Sequence, residues 1–171
     1  VANTSPTRTP SGRAASKIST SPFSQCLPTT RARNGRSAAT AVLRALRDNE
    51  VVCLLCDRDL QGGGIEVEFF GERTTLPAGP ATLALRTGAP LLPAAVYYRG
   101  KGHHATIREP IPTDRRGPLR QDVMRVTQAL AHELEALIRV EPEQWHVLQP
   151  NWPSDHAALA ADRLGFALEG D

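Results

Sequence analysis

The charge of this 171-residue chain is divided. Residues 1–47 carry eight basic side chains and no acidic one, whereas residues 48–171 carry twelve basic and eighteen acidic. The division decides which part can fold. The stretch from Val1 to Ser37 is dense in Ser, Thr, Pro and Arg and has hardly any apolar periodicity. Such a segment buries too little apolar surface to offset its chain entropy, so residues 1–37 are expected to form a disordered leader. Residues 38–171 are expected to hold the folded part, and their length suits one domain.

The acid-free leader has the Arg- and Ser-rich character of an organelle transit peptide. Its charge would also favour anionic lipid or, without specificity, nucleic acid. A nucleic-acid binder is disfavoured, because the remainder is acidic and only two Tyr and two Trp are available for stacking. No run approaches the roughly 20 apolar residues of a membrane span. Three cysteines, an odd number, argue against a disulfide scaffold and fit a reducing compartment.

From Ser37 the pattern becomes periodic. Ser37 is placed to cap a short helix with Val42, Leu43 and Leu46 on its apolar face, ending near Asn49. Val51-Val52-Cys53-Leu54-Leu55-Cys56 is continuous, apolar and short, the signature of a buried strand. Gly62-Gly63-Gly64 then reads as a hairpin turn into an alternating strand, Ile65 to Phe70. Pro77 and Gly79-Pro80 open a short Ala/Leu helix that Gly88 ends. Leu91 to Tyr98 and His103 to Glu109 are strands joined by Arg99-Gly100-Lys101-Gly102. A long helix starts at Leu119, with Val123, Val126, Leu130, Leu134, Leu137 and Ile138 at helical spacing, and Pro142 stops it. A short Ala-rich helix around Leu159 closes the pattern. Alternating helices and strands predict an α/β fold, a mixed sheet flanked by helices.

Several motifs bear on chemistry. Cys53 and Cys56 form a CxxC, but a redox pair needs a helix N-terminus and a zinc site needs two further ligands; both are expected to be core residues, with no metal. The Gly triplet lacks the Lys-Ser/Thr of a phosphate-binding loop. Asp57-Arg58-Asp59, at the carboxyl end of a buried strand, sits where α/β sheets place ligands. In Phe69-Phe70-Gly71-Glu72-Arg73-Thr74, a strand end presents Glu72 as a hydrogen-bond partner and Arg73 to an anionic group.

The ordered set of these motifs, with Leu76-Pro77-Ala78-Gly79-Pro80, Thr87-Gly88-Ala89-Pro90 and Trp145-His146-Val147-Leu148-Gln149-Pro150 plus Trp152, resembles the bacterial lysophospholipid acyltransferase superfamily over about residues 40–155. Within it the resemblance is to the phosphatidylinositol mannoside acyltransferases, related to the lipid A lauroyl acyltransferases. It implies a glycerolipid-acyltransferase-like fold, truncated at the N-terminus, working peripherally at the cytoplasmic face of the plasma (inner) membrane. The implied reaction moves a fatty acyl group from acyl-CoA, the donor substrate, to a hydroxyl of a glycolipid or phospholipid acceptor, without a cofactor. In the superfamily a His, in a motif of His, four residues and an acid, is the general base. That motif lies upstream of the matched stretch, where this chain has its Ser/Arg leader.

The resemblance makes Glu72 the first candidate for the acid that supports this base. Glu68 is second, on the polar face of its strand with Glu66. Arg73 and Arg58 become candidate partners of lipid or coenzyme A phosphates, beside Asp57 and Asp59. His104 and Glu109 match the base motif's spacing, but they stand in the wrong order and on an ordinary strand. The alternative is a catalytically incomplete fragment or lipid-binding remnant without the upstream His.

Overall fold

The computed structural model describes residues 36–60 and 62–168, with side chains described for 40–60 and 62–161. The expected leader therefore lies almost wholly outside the described residues. Helix α1 spans Arg36–Arg47, so Ser37 lies inside it rather than capping it. A hairpin of β1 (Ile65–Phe69) and β2 (Glu72–Leu76) comes next, then α2 (Gly79–Thr87). A second hairpin joins β3 (Ala94–Arg99) to β4 (Gly102–Ile107). The 20-residue α3 (Leu119–Ile138), a single 3-10 turn (Pro142–Gln144) and α4 (Pro153–Leu168) complete the order.

Among the described residues the strands form two separate two-stranded antiparallel sheets, β1-β2 and β3-β4, in place of the expected mixed sheet. The first strand of the expectation is missing: residues 51–56 form no helix, strand or turn. Among the described residues their backbone has no ladder to join, and apolar composition alone does not supply one. The Gly triplet is consequently not a hairpin turn. It is a loop wrapped on Asp59, whose carboxylate accepts the N–H groups of Gly62 at 3.1 Å and Gly64 at 2.7 Å and the Thr75 hydroxyl at 3.1 Å. Gly64 is obligatory, because a Cβ there would stand 2.4 Å from the Leu76 carbonyl oxygen.

The core lies where α3 meets β1, β3 and α2. Its apolar stripe is the one the spacing predicts: Val123, Val126, Leu130, Leu134 and Leu137 are buried, with Thr127 and Ala131 between them. Val67 and Phe69 of β1 and Leu76 of β2 meet this stripe. Polar contacts from α3 then fix the hairpins. Gln128 clamps Glu68, accepting its N–H and donating to its carbonyl, both at 2.9 Å. Tyr97 donates its hydroxyl to the Leu137 carbonyl at 2.7 Å. Asp122 knots the entry to α3. Burial opposes its charge, but the N–H groups of Arg116 and Gly117 and the guanidinium groups of Arg115 and Arg125 prevail and hold its carboxyl below the usual range.

Candidate functional site

The β1-β2 turn sets the site's geometry. Ile65 pairs with Leu76 and Phe69 with Glu72, leaving Phe70 and Gly71 as the two turn residues, at φ +55° and +83°. Two successive positive φ angles suit the right-handed twist of the strands. Glycine takes that conformation freely, whereas an aromatic residue does so at a cost. The surroundings hold Phe70 there. Its N–H donates to Glu135 Oε1 at 2.8 Å, the Arg139 guanidinium lies 4.9 Å from its ring centre, and Trp145 stacks on it at 5.7 Å.

Cross-strand partners share a face, so this register separates the two candidate acids. Glu72 lies opposite Phe69 and Glu68 opposite Arg73, on the other face. Glu68 is exposed with Glu66, as strand parity predicts. Glu72 turns to the start of α4, where Oε1 accepts the Ser154 N–H at 3.0 Å and Oε2 its hydroxyl at 2.7 Å. A carboxylate at a helix N-terminus meets unpaired N–H groups and the positive end of the dipole.

Arg73 pairs with Glu66 at 3.2 Å, but both side chains are mostly exposed, so the pair is worth at most about 1 kcal/mol. Arg73 also lines a cavity of about 340 Å³ with Glu66, Thr74, Thr75, Asn151 and His156. The Thr74 hydroxyl donates to the Asn151 carbonyl. The Asn151 Nδ2 group is buried without a hydrogen-bond partner among the described residues. The turn carrying Asn151 is pinned by Asp155, whose carboxylate accepts the N–H groups of Asn151 and Trp152. Those bonds hold its carboxyl below the usual range.

The Asp57-Arg58-Asp59 residues divide among three surroundings. Trp145 Nε1 donates to Asp57 Oδ2 at 2.8 Å. Asp59 is consumed by the glycine loop and Thr75. Arg58, with no ion pair among the described residues, lines a second cavity of about 400 Å³ beside Leu55, Leu60, the glycine loop and Ala78. Arg58 and Arg73 thus line separate cavities, and Glu72 is bonded to Ser154, next to Pro153 of the Arg73 cavity. His104 is exposed on β4 and Glu109 lies past the strand's end. An extended run of five residues separates such a pair by roughly 16 Å.

The cysteines also divide. Cys56 packs on the core, and burial, helped by the Asp57 charge, pushes its thiol up to about 11. Cys53 is exposed, contrary to the expectation of a core residue, and the segment carrying it has no ladder partner among the described residues. A thiol pushed upward is a poor nucleophile, so the CxxC is no redox pair.

The Trp pair is what motif reasoning missed as machinery. Trp145, Trp152, Phe69 and Phe70 form one cluster with ring centres 4.8 to 6.2 Å apart, and Trp152 Nε1 donates to the Phe69 carbonyl at 2.9 Å. The signal was two Trp residues flanking Pro150 in a chain only 5% aromatic. We predict that Trp145→Phe, which keeps the ring stack but removes the bond to Asp57, costs about 1 kcal/mol. Hydrogen exchange should quicken at residues 57–59 and stay unchanged in α3; equal exchange at 57–59 would refute the anchor.

Glu72 thus sits at a helix start, Arg58 and Arg73 line separate cavities, and Trp145 and Trp152 hold the β1-β2 turn. Residues 29–154 match the bacterial lipid A biosynthesis acyltransferase family, and the chain belongs to that family. The match begins upstream of Ser37. Among its relatives is the phosphatidylinositol mannoside acyltransferase of Mycolicibacterium smegmatis, 42% identical over 120 residues, which are 70% of this chain and 38% of that protein. The enzyme of the same name from Mycobacterium tuberculosis H37Rv is 44% identical over 110 residues, 64% of this chain and 33% of that protein. The chain spans about a third of the length of the relatives it matches.

Proposed function

We propose that this chain carries the acid-bearing, C-terminal portion of a glycerolipid-acyltransferase-like O-acyltransferase acting on a membrane glycolipid of the phosphatidylinositol mannoside type. The carrying observation is the match over residues 29–154, which spans all six candidate residues. The donor is acyl-CoA and no cofactor is required. A sugar hydroxyl is too weakly acidic to attack a thioester unaided at neutral pH, so a general base takes its proton as the C–O bond forms. The C–S bond breaks, and the base returns that proton to the leaving thiolate. The base is the His of the family's His-x4-acid motif, and Glu72 orients it and stabilises its charged form. Arg73 and Arg58 face phosphates of acceptor or donor, a task suited to their planar donor forks. The work takes place peripherally, at the cytoplasmic face of the inner membrane. No described helix is long and apolar enough to cross a membrane.

The test uses two proteins. The purified chain, incubated with acyl-CoA and phosphatidylinositol mannoside, is expected to give no acylated product. A chimera in which residues 40–155 replace the matching stretch of the Mycolicibacterium smegmatis relative is expected to acylate that acceptor. A folded chimera without turnover sinks the proposal. Turnover by the chain alone that disappears in His104→Ala would move the base onto β4.

A further inference from the structure

Beside its apolar stripe α3 carries a polar one. Gln128, His132 and Glu135, with Arg139 at the helix end, follow helical spacing and share a face. Gln128 Nε2 lies 2.9 Å from His132 Nε2, and Glu135 pairs with Arg139 at 3.4 Å. This stripe runs along the edge of β1 that β2 leaves open. Gln128 accepts the Glu68 N–H and donates to the Glu68 carbonyl, and Glu135 accepts the Phe70 N–H at 2.8 Å. Residues two apart on a strand present their peptide groups to the same edge, so the two side chains hold successive outward positions. Both holds depend on the register of the hairpin.

Another register is close at hand. With Phe70 at φ +55° and Gly71 at +83°, the turn has two residues and sets Glu72 opposite Phe69. Gly71 would serve equally well at the end of a three-residue loop, Phe69-Phe70-Gly71, in which Phe70 returns to negative φ and the glycine alone stays left-handed. That loop would close Glu68 on Glu72 and turn the Glu68 peptide groups inward, away from Gln128. A change of one residue in register sends Glu72 to the opposite face, away from Ser154. The burial of Phe69 resists the change, since the longer loop would draw its ring out of the core. At the turn itself the resistance comes from Glu135. Its side chain is only 17% exposed and is steadied by Arg139, whose guanidinium also covers the Phe70 ring at 4.9 Å.

We infer that Glu135 is a positioning residue for acyl transfer: by holding the Phe70 N–H it selects the two-residue turn and so fixes the direction of Glu72. It acts through Phe70 and Glu72 and not on the substrate. Its bearing on the reaction rests on the reading of Glu72 as the acid behind the base, whereas the choice of turn does not.

Two proteins test the two parts. In the full 171-residue chain, Glu135→Ala is expected to speed amide exchange at Ser154 about 10-fold or more, because that N–H loses its Glu72 acceptor. Amides 126–134 of α3 should stay within about twofold, showing that the fold is intact. In the chimera of residues 40–155 the same variant should lower kcat about 20-fold and move KM less than about threefold, the mark of a contact that matters in the transition state. Glu135→Gln keeps an oxygen for the Phe70 N–H, and kcat should stay within about threefold. Phe70→Asn supplies a side chain that takes the left-handed turn unaided, so in that background Glu135→Ala should cost less than about threefold. If the alanine variant unfolds, Glu135→Met, of similar length and without an acceptor, takes its place. Unchanged Ser154 exchange overturns the inference. Equal losses of kcat with and without Phe70→Asn overturn it too, leaving Glu135 a brace for the fold. Faster Ser154 exchange with kcat unchanged upholds the choice of turn and removes Glu72 from the chemistry, so the two readings fail separately.

Discussion

Phe69→Ala is expected to cost about 3–5 kcal/mol, the largest loss of stability from any single core truncation in this chain. Phe69 is fully buried and joins three stretches distant in sequence. Its ring stacks on Trp152 at 5.9 Å and meets Trp145 edge-on at the same distance, while β1 carries it onto the α3 stripe. Truncation removes the hub of the latch and leaves a void that two indole rings on short turns fill poorly. Total stability of a domain is about 5–15 kcal/mol, so much of it would go. Phe69→Leu, which keeps most of the volume, should cost clearly less. Urea titration followed by tryptophan fluorescence checks both, since both indoles report on this cluster. A loss below about 1 kcal/mol for the alanine variant would show that the cluster is peripheral to folding.

Those rings also mark the border between what the sequence makes readable and what it hides. The α3 stripe is readable because period and burial coincide: the positions at helical spacing are the ones packed on β1. The second hairpin is readable from its Gly-flanked turn, and the start and end of α2 from Gly79-Pro80 and Gly88. The first hairpin is not, because its turn uses Phe70. An aromatic residue at φ +55° is held by Glu135, Arg139 and Trp145, all distant in sequence. Missing that turn hides the direction of Glu72, since only the Phe69–Glu72 pairing shows that it faces α4 while Glu68 faces outward. Asp57-Arg58-Asp59 reads as one site in sequence and serves three purposes in space, because consecutive side chains diverge. Residues 51–56 are the reverse case. Their pattern calls for a strand, and the described residues offer nothing for that strand to pair with.

Separating the two acids by face leads to the second large effect. In the chimera of residues 40–155, Glu72→Gln is expected to lower acyl transfer by about 10²–10⁴-fold, the range over which general acid–base assistance operates. Glutamine keeps an oxygen able to accept the Ser154 N–H, now 3.0 Å from Glu72 Oε1, so the start of α4 stays docked. What goes is the negative charge that would stabilise a protonated histidine, together with about 1 kcal/mol of its attraction to the helix N-terminus. Ser154→Ala is the structural control. It deletes the 2.7 Å hydroxyl bond and keeps the carboxylate, so kcat should stay within a few-fold. Glu68→Gln should change little, because α3 holds Glu68 through its backbone and the side chain points to the exposed face with Arg73 and Glu66. Measuring kcat and thermal midpoint for all three variants separates charge from scaffold. Equal losses in Glu72→Gln and Ser154→Ala, tracking the midpoint, would reduce Glu72 to a helix clamp. A loss confined to Glu68→Gln would put the working acid on the opposite face of the hairpin.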